Sequence, residues 1–380
     1  MHYNGSIASD TIAAREEGVL AAYAFFSRET SGRRWPEEEH AYRGPFQRDR
    51  DRVLHCAAFR RLSGKMQVFT GEMGDYHRTR LTHTIEVASI ARTMGRALRL
   101  NEDLIESLAY LHDLGHPPFG HAGEDALNEC LGEEGGFSHN RFALTLVEEL
   151  EQRYPSFPGL NLSYEVLEGQ RSRVKHPARQ LTLLTVTPPL WETQVVDAAD
   201  SITYDAHDTD DALKLGLVTM DELREIPLIR ELTGALEDRF GPLEVKRLRK
   251  ALVHELINRQ VTSVLEAVEQ FLATHSPANA EEARRSEFRF AVDGDLARRK
   301  RELESFLYER VYRHPELIAV RREAQGRLQT MFHRLVDKPK RLPPKFQTRA
   351  ERVGVPRAVG DYLAGMTDRY CDEQFRRHFA

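Results

Sequence analysis

The stretch that decides this sequence is LHDLGHPPFGHAGE, residues 111–124. It packs three histidines, two carboxylates, two prolines and three glycines into fourteen residues. Upstream of it, Leu104, Ile105, Leu108 and Leu111 recur at helical spacing behind Asn101, a good N-cap. The spacing predicts a helix that stops near Gly115–His116, because Pro117 disfavours helix at the residue before it. His112 lies four after Leu108, so it continues the apolar face, and Asp113 follows directly. A carboxylate driven against an apolar wall needs a partner, since an unpaired buried charge is very unfavourable. A divalent metal is one such partner, and imidazole plus carboxylate is a sensible ligand set. A His-Asp pair alone is a weak motif, and His207-Asp208 is a second instance in this chain.

The flanking segments add to it. In RTRLTHTIEVA, residues 78–88, His83 lies on a predicted amphipathic helix whose apolar stripe is Leu81, Ile85, Ala88, Ala91, Met94 and Leu98. In DAADSITYDAHD, residues 197–208, Asp200 sits among Val195, Val196, Ala199 and Ile202 within a helix expected over 191–215. Three separate helices thus each offer a metal-binding group near an apolar face. A further helix is expected from Gly120 to Leu131, and one or two over 243–273. Strand signals, around Tyr164–Leu167 and Phe288–Val292, are short and weak. The fold class is therefore all-α. The charged, broken stretch 274–302 is the best candidate for a linker or boundary, and KPKRLPPKF at 338–346 reads as a basic, proline-rich loop.

The order His, His-Asp, distant Asp resembles the HD-domain superfamily. The blocks RDRDRVLHCAAFRRLSGKMQVF (48–69), HPPFGHAGE, FSHNRFA (137–143), GLNLSYEV (159–166) and VGDYLAGMTDRY (359–370) make the chain similar to the deoxyguanosine triphosphate triphosphohydrolase-like proteins. The similarity spans most of residues 45–210 and returns at the C-terminus, and the chain is expected to divide into an N-terminal helical segment over 1–45, an HD core over 46–220 and a C-terminal helical region over 221–380 that packs on the core. The resemblance implies hydrolysis of dNTPs at the α-phosphate, to deoxynucleoside and tripolyphosphate. It makes His83, His112, Asp113 and Asp200 the metal ligands. His121 and Glu124 match the catalytic pair, and His139 a further active-site histidine. Arg80 matches a phosphate contact, and Gln67, Tyr204 and Asp208 match positions that read the deoxyribose. Relatives form homo-oligomers, some with nucleotide effectors, so an assembly is expected.

The residue types fit that chemistry. A nitrogen and oxygen ligand set suits Mn²⁺, Mg²⁺, Fe²⁺ or Co²⁺. His121 and Glu124 are three apart at a helix start and can share a face, where a carboxylate orients an imidazole for proton transfer. Whether His121 assists attack on phosphorus or protonates the leaving 5′-oxygen stays open here. His116 reads equally as a phosphate contact or a turn residue. Asp200, Tyr204 and Asp208 fall on one helical face. Among the early arginines, Arg60 and Arg61 are weaker phosphate candidates than Arg80. The basic 338–349 region is a candidate surface for an effector nucleotide or single-stranded DNA. Other HD-type phosphohydrolases, such as a 5′-nucleotidase or a cyclic-nucleotide phosphodiesterase, and a non-catalytic nucleotide sensor are the competing readings.

Bulk properties bound these choices. The formal net charge of −5 over 380 residues argues against a chain-wide basic surface for duplex DNA. No apolar run of about 18 residues is present, so no spanning helix is expected. The first helix carries Glu16 and Glu17 and makes a poor signal peptide. Cys56, Cys130 and Cys371 are far apart and odd in number, which points to a reduced, cytoplasmic chain.

Overall fold

A computed structural model describes residues 6–67, 78–174, 187–292 and 294–379. Among them the protein is built from α-helices, with isolated β-bridges and no sheet. In chain order the helices are α1 (Ser6–Val19), α2 (Pro45–Leu54), α3 (Ala57–Arg61), α4 (Arg80–Ala97), α5 (Glu102–Leu111), α6 (Gly120–Cys130), α7 (His139–Thr145), α8 (Tyr164–Ser172) and α9 (Trp191–Lys214). They continue as α10 (Met220–Leu223), α11 (Pro227–Phe240), α12 (Val245–Thr274), α13 (Ala280–Arg285), α14 (Gly294–Leu307), α15 (Pro315–Asp337), α16 (Pro344–Val353), α17 (Val355–Ala364) and α18 (Asp368–His378). None is long and apolar enough to cross a membrane.

At the centre lies α5. Asn101 caps it by accepting from the Leu104 amide, and Leu104, Ile105, Leu108 and Leu111 are fully buried. It packs against α2, α4, α8 and α9. Its regular turns end at Leu111, earlier than the expected stop, and tight turns carry the chain through Leu114 and His116. Thr79 caps α4 through the Thr82 amide. Of the expected stripe on α4, Ala88, Ala91, Met94 and Leu98 are buried and Leu81 packs on the core, whereas Ile85 is 50% exposed and His83, Thr84 and Val87 are buried beside the stripe. Polar groups take the inner face here because the site requires them.

A large core draws on residues from Ala24 to Phe379, and a second, smaller one runs from Ala206 to Leu317. The stretch 274–302 is no irregular linker, although the passage from the larger core, with Ala283 and Phe290, to the smaller one, with Leu296, falls within it. It contains α13 and much of α14, Ala283 is fully buried, and Phe290 packs edge-on against Trp191 at 5.2 Å. The proposed strand at Tyr164–Leu167 is the first turn of α8, and no strand forms at Phe288–Val292. In the basic segment 338–346, Pro339–Arg341 forms a 3₁₀ turn and Pro344 opens α16. Proline suits that position, where no helical N–H is needed.

Candidate active site

His83 from α4, His112 and Asp113 after α5, and Asp200 from α9 converge. His83 Nε2 lies 2.9 Å from Asp200 Oδ1, and His112 Nε2 lies 3.6 Å from the same oxygen and 3.7 Å from Asp113 Oδ1. Ligand atoms of His83, His112 and Asp113 all fall within 4.8 Å of one another. His112 Nδ1 sits 2.6 Å from the Ala109 carbonyl, so it must carry the proton and donate. That tautomer leaves the Nε2 lone pair bare, and this buried atom has no hydrogen-bond partner. A bare imidazole nitrogen facing two carboxylates, with its other nitrogen pinned by a carbonyl, is what a metal-ligating histidine needs. The residues therefore fit a divalent cation.

Asp113 is held from behind. Its Oδ2 accepts from Arg80 at 2.8 Å, and its Oδ1 lies 2.9 Å from His116 Nδ1. Burial pushes this carboxyl up, but the Arg80 charge and the hydrogen bond from His116 outweigh it and hold the group well below the usual range. Arg80 is 1% exposed, so the structure makes it the counterion of Asp113. Burial and the Arg80 charge keep His116 neutral. With Nδ1–H donated to Asp113, its buried Nε2 is a bare acceptor, suited to a water hydrogen rather than to a phosphate oxygen.

The turn between α5 and α6 brings the next group in. A Cβ on Gly115 would meet the His139 carbonyl at 2.0 Å, so glycine lets α7 approach. The His116 and His139 rings then stack with centroids 3.8 Å apart. Phe119 and Gly120 both take left-handed conformations, with φ of 63° and 57°, and turn the chain into α6. A Cβ on Gly120 would lie 2.9 Å from the Arg80 guanidinium. Glu124 Oε1 accepts from the His139 amide at 2.9 Å, and its carboxylate lies 2.8 Å from His139 Nδ1 and 3.4 Å from His121 Nδ1. Burial raises the Glu124 carboxyl, but the hydrogen bonds of His121 and His139 win and depress it strongly. His116, Glu124 and His139 form a second group with ligand atoms within 4.8 Å, but Glu124 and His139 are already paired with each other, and His116 reaches the group only by its bare Nε2.

His121 is 62% exposed and opens onto a cavity of about 570 Å³. Gln67, Phe119 and Tyr204 also line it. The Gln67 side-chain oxygen is buried without a partner. Asp208 is buried and hydrogen-bonded to Tyr204. Burial, with Asp211 and Asp205 nearby, pushes its carboxyl well up, and its Oδ2 has no partner. The structure thus gathers every proposed site residue except Arg60 and Arg61. Arg60 donates to the His55 carbonyl, and Arg61 donates to the Gly365 carbonyl beside a different cavity. Arg50, Arg52 and Arg78 are likewise consumed by acids, carbonyls or both.

Sequence reasoning missed the opposite wall. Glu304, Tyr308, Glu309, Tyr312 and Arg321 complete the cavity. Tyr308–Tyr312 is a π-helical turn, a form frequent at functional sites. Tyr312 lies roughly parallel to Tyr204, with centroids 6.0 Å apart. It was missed as well that Lys65 is buried behind the turn. Its ammonium donates to the carbonyls of His116 and Ala364, and burial lowers it to about 7. Only the KMQ run beside the arginines hinted at it.

This arrangement, helices presenting His, His-Asp and Asp to one point beside a histidine–carboxylate cluster, goes with the family matches. The HD domain family matches residues 80–205, and the Phosphohydrolase-associated domain family matches residues 290–377. The class is thus an HD-domain phosphohydrolase. Proteins from Ralstonia pickettii (strain 12J) and Geobacter sulfurreducens are 40% and 41% identical, covering 96% of this chain in both cases and 95% and 96% of their own. One from Azoarcus sp. (strain BH72) is 41% identical over 95% of this chain and 97% of its own. All three are named deoxyguanosinetriphosphate triphosphohydrolase-like protein. The chain belongs to this deoxyguanosinetriphosphate triphosphohydrolase-like family.

Proposed function

We propose that the protein is a divalent-metal-dependent dNTP triphosphohydrolase. It cleaves at the α-phosphate and releases deoxynucleoside and tripolyphosphate. The observation that carries this reading is the bare Nε2 of His112, aimed at Asp113 and Asp200, next to a histidine–glutamate cluster that opens on a nucleoside-sized cavity. His83, His112, Asp113 and Asp200 hold the cation, which supplies Lewis-acid polarisation of a phosphoryl oxygen. The names of the relatives point to deoxyguanosine triphosphate as one substrate.

The chain's own groups do the rest. His121 faces the cavity and is oriented by Glu124, so it delivers a proton to the departing 5′-oxygen. The bare Nε2 of His116 accepts from the attacking water. The phosphates meet Arg321 and the start of α6, where no side chain caps the amides. Tyr204 packs on the deoxyribose and disfavours a 2′-hydroxyl by sterics, while Asp208 accepts from the 3′-hydroxyl.

The test is direct. The purified protein is incubated with Mn²⁺ and each dNTP, singly and mixed, and products are resolved by ion exchange. Deoxynucleoside with tripolyphosphate is expected. Orthophosphate released from a nucleoside monophosphate, with dNTPs untouched, would replace this reading with a nucleotidase. Binding of dNTP without product would make the protein a sensor.

A further inference from the structure

We infer that Asp368, at the start of α18, is a positioning residue that sets the two walls of the active site from the C-terminal region. For its kinetic consequence this rests on the triphosphohydrolase reading above. The Asp368 carboxylate is spent on two backbone amides from distant parts of the chain. Its Oδ2 accepts from the Met66 amide at 2.9 Å, and its Oδ1 accepts from the Phe119 amide at 2.9 Å. Met66 directly precedes Gln67, and Phe119 directly precedes the Gly120–His121 start of α6. Met66, Gln67, Phe119 and His121 all line the cavity. One carboxylate therefore spans the gap between the wall that carries Gln67 and the turn that carries His121.

The corner between α17 and α18 makes further ties to the same two segments. Lys65 donates to the Ala364 carbonyl at 3.0 Å and, with the same nitrogen, to the His116 carbonyl. Arg61 reaches the Gly365 carbonyl at 3.4 Å. Residues 364–368 thus hold the segment before Gln67 and the turn before His121 together.

There is a reason for such a hold. Phe119 sits in the left-handed region at φ 63°, an unfavourable place for a bulky residue, and Gly120 follows at φ 57°. Such a conformation persists only when its surroundings over-determine it. The Phe119 amide has its partner in Asp368, and a carboxylate binds an amide more strongly than a neutral acceptor does. If that bond is lost, the turn relaxes and carries His121 with it. The ligand group is fixed by other contacts, through Ala109 and the His83–Asp200 pair, and Arg80 keeps its bond to Asp113 although it also donates to the Gln67 carbonyl, so the cation should not sense the change.

The experiment compares Asp368→Asn with Thr367→Ala. Asparagine keeps the shape but turns a donor toward one of the two amides. Thr367 caps α18 through the Tyr370 amide and touches neither amide, so its variant controls for weakening the helix. With Mn²⁺ and dGTP, Asp368→Asn should lower kcat by about tenfold to a hundredfold, with Mn²⁺ affinity unchanged. Hydrogen exchange should rise in peptides spanning 62–67 and 117–123. Thr367→Ala should lower Tm while kcat stays within about twofold and the 117–123 peptide is unchanged; the 62–67 peptide is left out of this control, because the Thr367 side chain packs beside Gly64. Equal exchange at 117–123 in the two variants, or an equal loss of kcat, would overturn the inference. If the wild type releases no tripolyphosphate from any dNTP, the functional reading fails, and the exchange comparison still decides whether Asp368 holds both walls.

Discussion

The carboxylates of the group around Asp113 are all paired within it, and imidazole nitrogens such as Nε2 of His112 and His116 are left bare. His83 is paired with Asp200, Asp113 with Arg80 and His116, and Glu124 with His139 and His121. The wall facing it, from Glu304 to Arg321, is open by comparison. Tyr308 is 58% exposed, Glu309 is exposed, and the Tyr312 hydroxyl is buried without a partner. The first region is organised before any ligand arrives, as proton transfer and metal binding require. The second leaves contact groups available, as binding the rest of a substrate requires. Chemistry should therefore depend on the first region, and affinity on the second.

The largest effect comes from breaking the paired group. His112→Ala or Asp113→Ala should abolish bound metal, measured by elemental analysis of the purified protein, and turnover with it. Leaving Arg80 and His116 without Asp113 also uncovers a buried charge, so Asp113→Ala should melt earlier than His112→Ala. Full metal content in either variant would mean that these residues are not ligands.

Next comes the proton-transfer cluster. His121→Ala should keep metal and fold but lose about 10²- to 10⁴-fold in kcat, the usual range for a general acid or base. Steady-state kinetics at saturating dNTP checks this. Full activity would remove His121 from the mechanism.

On the open wall the effect is smaller and of another kind. Tyr312→Ala should raise KM for the preferred dNTP by about tenfold while kcat changes little, as loss of one base-stacking ring costs about 1–3 kcal/mol. A loss confined to kcat would erase the distinction between the two regions.

The smallest effect concerns Lys65, which ties the turn at His116 to the end of α17. Burial depresses it to about 7, so between pH 7 and its ordinary value of 10.5 the unfolded chain holds a proton that the folded chain has released. Stability contributed by this group therefore rises with pH over that window, with a slope of at most about 1.4 kcal/mol per pH unit. A neutral amine still has the two N–H groups that its two carbonyl partners need. Denaturant titrations at several pH values should show a flatter dependence for Lys65→Met. An unchanged slope would mean that the lysine stays charged.

The same comparison explains what could be read from the sequence. His112-Asp113, His83 and Asp200 announce themselves because costly polar groups interrupt apolar helical faces, and the structure brings them together. The all-α class and the long helix over 191–214 follow from the same periodicity. Ile85 misled because its apolarity suggested burial, whereas at that turn the inner face of α4 is given to His83 and Thr84. Tyr164–Leu167 looked strand-like from residue type, and tertiary packing made it helix. Tyr312 and Arg321 gave no local sign. Their role depends on the packing of α15 against α6 and on the turn before α15, and no short motif encodes that contact.

The most direct test of the central claim is hydrolysis of the preferred dNTP in ¹⁸O-labelled water, with mass analysis of both products. Attack at the α-phosphorus puts the label in tripolyphosphate and leaves the deoxynucleoside unlabelled, which is the predicted result. Release of labelled orthophosphate with a nucleoside diphosphate, or label in the 5′-hydroxyl, would contradict it.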